Sequence, residues 1–157
     1  MKYRAFFAAL LLAGLSAPSV ADVQPHLVAN PTLATIPLTL VAATRPHHYV
    51  VEVAMTTEEQ SRGLMLRKTM PRDHGMIFPL DTPREATFWM EGTILPLDLV
   101  FITTDHTVGR IAANAVPFSR AMIPSGGPVT AVLELNAGEA ARIGLKPGDK
   151  VDYSLTK

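Results

Sequence analysis

The chain has 157 residues, 48% of them hydrophobic and 18% charged, with 14 basic side chains against 14 acidic ones. That balance excludes an intrinsically disordered chain, and without a basic stripe it offers no case for nucleic acid as a partner. The lack of any cysteine excludes disulfides, a thiolate nucleophile, Cys-based zinc sites and iron–sulfur clusters.

Lys2 and Arg4 precede the apolar run Ala5 to Leu15, and SAPSVA follows, with Ser19 and Ala21 at the two small-residue cleavage positions. This is the pattern of a signal peptide over residues 1–21. The apolar run falls short of the roughly 20 residues that span a bilayer. With no cysteine behind it for lipid attachment, the expected product starts near Asp22, is periplasmic or secreted, and has no transmembrane segment after cleavage. Losing Lys2 and Arg4 turns the even charge into an acidic excess of two.

Residues 22–36 carry Pro25 and Pro31 without a sustained period and read as an extended leader. From 37 to 157 the pattern is that of a single domain without internal repeats. Alternating or apolar strand patterns occupy 37–43, 48–54, 75–80, 85–91, 97–102, 107–115, 130–135 and 150–155. Gly and Pro separate them, notably at Ser125-Gly126-Gly127-Pro128 and Pro147-Gly148-Asp149. Thr56 and Glu59 form a capping box that opens a helix running to about Leu64. A second helix starts within Asn136–Glu139 and ends at Gly144 in a left-handed cap. Many short strands with two short helices predict a mainly-β domain, a sandwich or barrel.

Three residues interrupt the apolar patterns in ways that bear on chemistry. Trp89, the one tryptophan, shares a strand face with Thr87 and Glu91 while Phe88 and Met90 face the other way. A rim indole closes a core; a half-exposed one offers a stacking surface. Asp98 lies in LDLVFI, sharing a face with Val100 and Ile102, and Glu134 lies in VLELN beside Val132. An unpaired carboxylate at either place costs several kcal/mol, roughly, so each needs a partner or a proton. Glu52 reads as one polar position on a solvated strand face. Arg62, Arg67 and Arg110 are the candidate cations, with Arg67 best placed just beyond the first helix.

An Arg–carboxylate cluster of this kind either fixes a sheet's register or forms a polar spot in an apolar pocket that orients a ligand or acts as acid and base. Two carboxylates of differing pKa also suit glycosidase-like chemistry. A metal centre is not expected: His47 and His48 are adjacent and point to opposite faces of a strand, and the methionines fit core filling better than a copper(I) site. Nor does any nucleophile elbow, P-loop or dinucleotide fingerprint occur, so no cofactor is expected. Ser125 reads as turn chemistry.

Taken in order, EVAMTTEEQSRGLMLR, HGMIF, TFWMEGTILPLDLVFI and IPSGGPVTAVLELNAGEAARIGLKPGDKV resemble domain-of-unknown-function family 192 over most of 48–153. The resemblance implies an antiparallel, jelly-roll-like sandwich and no established activity. Its polar motif positions fall here on Arg67, Trp89, Thr93, Asp98, Ser125, Glu134 and Asp149. Glu91-Gly92 departs from the basic residue and Asn usual there. The expectation is an exported, monomeric binding or accessory module whose ligand is a small molecule, a glycan or a partner protein. Its site is expected at Arg67, Trp89, Thr93, Asp98 and Glu134. The rivals are a small hydrolase or lyase using Asp98 and Glu134, with Arg67 setting their pKa values, and a purely structural domain.

Overall fold

The computed structural model describes residues 28–155 apart from Thr44. The expected signal peptide and residues 22–27 of the leader lie outside the described residues. The chain is mainly β. Its strands are β1 (Thr35–Ala42), β2 (Arg45–Val53), β3 (His74–Phe88), β4 (Leu97–Ile102), β5 (Val108–Ala115), β6 (Ile123–Asn136) and β7 (Lys150–Tyr153), with helices α1 (Thr57–Arg62) and α2 (Glu139–Ile143).

The strands form one sheet in the order β5-β4-β6-β3-β2-β1-β7. The sheet curls until its edges meet at one end, where Thr107 bridges Lys150 and the Val108 amide donates to the Asp149 carbonyl at 2.8 Å. Backbone pairing there covers part of both edges, which would otherwise present open hydrogen-bonding groups. The sheet departs from the antiparallel expectation at one junction. β2 and β3 pair in parallel from Val50↔His74 to Val53↔Ile77, because α1 and residues 63–73 carry the chain back across the sheet before β3 begins.

Both faces of the central strands are covered, so the apolar runs show no polar side. Ile77, Val100, Ile102, Leu133 and Leu135 join Leu38, Leu40, Val51 and Val151 in one core, with Ala140 and Ile143 of α2 against it. Met76, Phe78, Leu97, Leu99, Phe101 and Val132 form a second core on the other face, under Leu64 just beyond α1. Burial of each large side chain is worth roughly 1.5–3 kcal/mol.

Two expected strands, 75–80 and 85–91, are one long β3, with register shifts against β6 between Pro79 and Arg84 and between Glu85 and Thr87. β6 is likewise longer than expected. Ser125 to Pro128, expected to separate strands, lie inside it, with Gly126 in the left-handed region at φ 76°. The Ser125 hydroxyl accepts from the Ala86 amide at 3.0 Å and donates to the Gly127 carbonyl at 2.7 Å, which holds this irregular stretch. Beyond the parts paired to β2 and β4, β3 and β6 therefore continue as a two-stranded arm, Arg84–Phe88 against Ile123–Val129.

The capping box is present as expected. The Thr56 hydroxyl accepts from the Glu59 amide, and the Glu59 carboxylate accepts from the Thr56 and Met55 amides. Those bonds hold the Glu59 carboxyl below the usual carboxylate range. Helix α2 starts later than Asn136: its cap is Gly138, with no side-chain cap bond, and Gly144 closes it at φ 72°.

Candidate functional site

A cavity of about 680 Å³ opens over the second core. Its roof is α1 and the turn after it, from Thr57 through Gln60 and Arg62 to Met65. One wall is the arm, through Arg84, Ala86, Thr87 and Phe88; the other is formed by Trp89, Glu91, Thr93 and Arg120. Glu134 and the Phe78 side chain reach it from the sheet. Thr87, Trp89 and Glu91, expected on one strand face, line the cavity together with Thr93, but so do Ala86 and Phe88 of the opposite parity. β3 ends at Phe88, so strand alternation does not place residues 89–93; Met90 is fully buried. Trp89 is 45% exposed, at the edge of the opening.

Glu134 is 5% exposed, and its carboxyl makes no hydrogen bond or ion pair with any described residue. Strand register explains its position: it pairs with Met76 on β3 and Leu99 on β4, both in the second core. Burial alone pushes its carboxyl up to about 8, because no neighbouring donor or cation offsets the lost hydration. At neutral pH it is therefore mostly a neutral acid, able to donate one hydrogen bond and accept others.

The remaining charges on the wall are largely paired. Arg120 donates to Glu91 at 2.6 Å and Arg62 to Glu58 at 2.5 Å. Arg84 has no carboxylate partner among the described residues; it donates to the Glu85 carbonyl at 3.4 Å.

Of the five residues expected to form a site, Trp89, Thr93 and Glu134 line the cavity, whereas Arg67 and Asp98 do not. Asp98 pairs with Leu135, so it faces the first core, away from Glu134. It is fully buried and accepts from the Asn114 amide at 2.8 Å and the Ala140 amide at 2.9 Å. Its partners are backbone donors from β5 and the first turn of α2, not a guanidinium. Arg67 forms a two-pronged pair with Glu52, at 2.8 and 2.9 Å, and also donates to the Pro31 carbonyl. Glu52 accepts from the Leu33 amide as well. This ties residues 31–33 to β2, corrects the reading of Glu52 as a solvated position, and leaves Arg67 no part in setting the Glu134 pKa. Arg110 sits over the Phe101 ring and donates to the Pro124 carbonyl.

Among the other motif residues, Asp149 accepts from the Lys146 amide at 2.9 Å, a turn bond. Gly92, in the departing Glu91-Gly92 pair, turns the chain at φ 68°, and Glu91 pairs with Arg120. Sequence reasoning did not reach Arg84, Arg120, Gln60 or Phe78 as lining residues. The first three carry no local signal; Phe78 shares its strand parity with Met76, and only the strand pairing shows that this face meets Glu134. Among the described residues no group of three His, Asp or Glu side chains is arranged to hold a metal.

The model of domain-of-unknown-function family 192 (Uncharacterized ACR) matches residues 39–153. The chain belongs to this family. Two solved structures are similar to this family member. One is a proposed transcription regulator from Sinorhizobium meliloti 1021, 42% identical, with a TM-score of 0.76 over 80% of this chain and 98% of that one. The other is a protein of unknown function from Novosphingobium aromaticivorans DSM 12444, also 42% identical, with a TM-score of 0.75 over 93% of this chain and 99% of that one. No curated protein matches the chain.

Proposed function

We propose that this family 192 member is an exported binding module whose cavity between α1 and the arm takes a small molecule, glycan fragments included. The observation that carries the reading is Glu134: a buried carboxyl with no partner among the described residues that opens into a cavity large enough for a ligand. Burying such a group costs free energy unless something else meets it, and concave cavities of this size that combine apolar and aromatic walls with convergent polar groups are a usual form of small-molecule sites. Trp89 at the opening supplies a surface on which a ring can stack.

Export is supported by Lys2, Arg4, the apolar run and the Ser19/Ala21 cleavage pattern. Among the described residues no helix is long and apolar enough to cross a membrane. A jelly-roll-like closure of the sheet, implied by the family resemblance, is supported by the curl that brings the β5 and β7 edges together. A hydrolase or lyase built on Asp98 and Glu134 together is the weaker reading, since Asp98 pairs with Leu135 and Glu134 with Leu99, on opposite faces of the sheet.

The test uses Trp89 as its own reporter. Cell-wall fragments, sugars, and small acids, alcohols and amines are titrated while tryptophan emission and melting temperature are followed. A saturable change with at least one class supports the module; flat responses throughout refute it. Amino-terminal sequencing of protein recovered from the periplasm should begin near Asp22.

A further inference from the structure

Resting on the cavity reading above, we infer that the ligand is an organic cation, an ammonium on a short apolar stem, whose charged head meets Glu134. Three features favour that class over an alcohol or an acid. The least exposed polar side chain on the cavity wall is a carboxyl with no donor among the described residues, and an ammonium brings three. Phe78, Phe88 and Trp89 all line the space, and aromatic faces attract cations. The other lining acid, Glu91, already has Arg120 at 2.6 Å, so Glu134 is the acidic position left for a ligand.

The lining cations do not argue against this. Arg62 and Arg120 each have a carboxylate of their own. Arg84, on the arm wall, has no carboxylate partner among the described residues and favours an acidic group on the outer end of the same ligand. An alkyl stem between the two ends would run past Leu64, Met65, Ala86 and Leu80.

The chemistry makes a measurable demand on protons. Glu134 titrates at about 8, so below that pH it must release a proton before it can pair with an ammonium. Affinity should therefore rise close to tenfold per pH unit from pH 6 to 7.5 and level off above 8, with close to one proton released per ligand at pH 6–7. The other charged groups on the cavity wall are Arg62, Arg84, Glu91 and Arg120, and no histidine lies among them.

The experiment compares hexylamine, hexanol and hexanoate, equal in stem and different in head, by Trp89 fluorescence and by calorimetry in buffers of differing ionisation enthalpy. Hexylamine should bind at least tenfold tighter than the other two at pH 8, with proton release near neutrality. Glu134→Gln should erase both the preference and the pH dependence while its melting curve shows a folded protein. Hexanol or hexanoate binding as tightly as hexylamine overturns the ammonium and spares the cavity reading. Hexylamine binding that is independent of pH, or unchanged in Glu134→Gln, also overturns it. No response to any of the three overturns this inference, and the cavity reading stands or falls on the wider panel.

Discussion

The unpartnered carboxyl of Glu134 should make the protein less stable as pH rises, in a window where paired carboxylates do not. In the folded chain it holds its proton to about 8, against an ordinary value of 4.5. Between those values the folded protein binds one proton more than the unfolded chain, so stability is lost as pH climbs from 4.5 towards 8. Each unit is worth about 1.4 kcal/mol. At pH 7 the group therefore costs about 3 kcal/mol relative to acid conditions, approaching about 5 kcal/mol above pH 8. Glu134→Gln keeps the shape and a neutral polar head and removes the titration. The variant should melt on the order of 10 °C higher than the parent at pH 7 and at nearly the same temperature at pH 4. Differential scanning calorimetry of both proteins from pH 4 to 9 reads this directly, and other titrating groups cancel in the difference. A constant offset across the range, or a variant less stable at pH 8 than the parent, would refute the claim that Glu134 lacks a partner.

The other buried charges should respond differently. Asp98→Asn removes the charge that two backbone amides share and turns an NH₂ towards one of them, so urea denaturation should show a loss of about 2–4 kcal/mol; a loss under about 0.5 kcal/mol would argue against those bonds. Arg67→Ala should cost about 1–2 kcal/mol and speed hydrogen exchange at the Leu33 amide, since Glu52 loses the guanidinium that holds it against residues 31–33. Gly75→Ala should cost about 2 kcal/mol or more, because a β-carbon there would lie 2.5 Å from the Glu134 carbonyl oxygen. An unchanged melting temperature would show that β3 can move away from β6.

Face assignments within single strands were legible in the sequence; the pairing between strands was not. Period-two alternation correctly separated Leu97, Leu99 and Phe101 from Asp98, Val100 and Ile102, because that period is a property of one strand alone. It did not account for the cavity lining, because β3 ends at Phe88 and Phe88 lines the same space as Thr87, Trp89 and Glu91. Whether Asp98 and Glu134 point the same way depends on the β4–β6 register, which no local pattern carries. Similarly, Ser125-Gly126-Gly127-Pro128 holds strong turn residues, yet side-chain and cross-strand bonds absorb them as an irregularity inside β6. The parallel β2–β3 pair was missed because α1 is too short to suggest a crossover on its own.

The contrast between the two carboxylates follows from how the helix above each one begins. Gly138, the cap of α2, has no side chain to satisfy the first amides of the helix, and the Ala140 amide is thus free to meet Asp98 at 2.9 Å. At α1 the capping box engages the Met55, Thr56 and Glu59 amides, and that helix presents side chains to the cavity with none of its amides donating to Glu134. A slip of one residue in β6 would exchange these surroundings. Leu135 would face the cavity and Glu134 would enter the core that already holds Asp98, leaving two acids on one buried face. Gly75 helps fix the observed register by letting β3 close onto the Glu134 carbonyl. The unmet acid in the cavity is thus a product of strand register and of a helix start that sends it no amide.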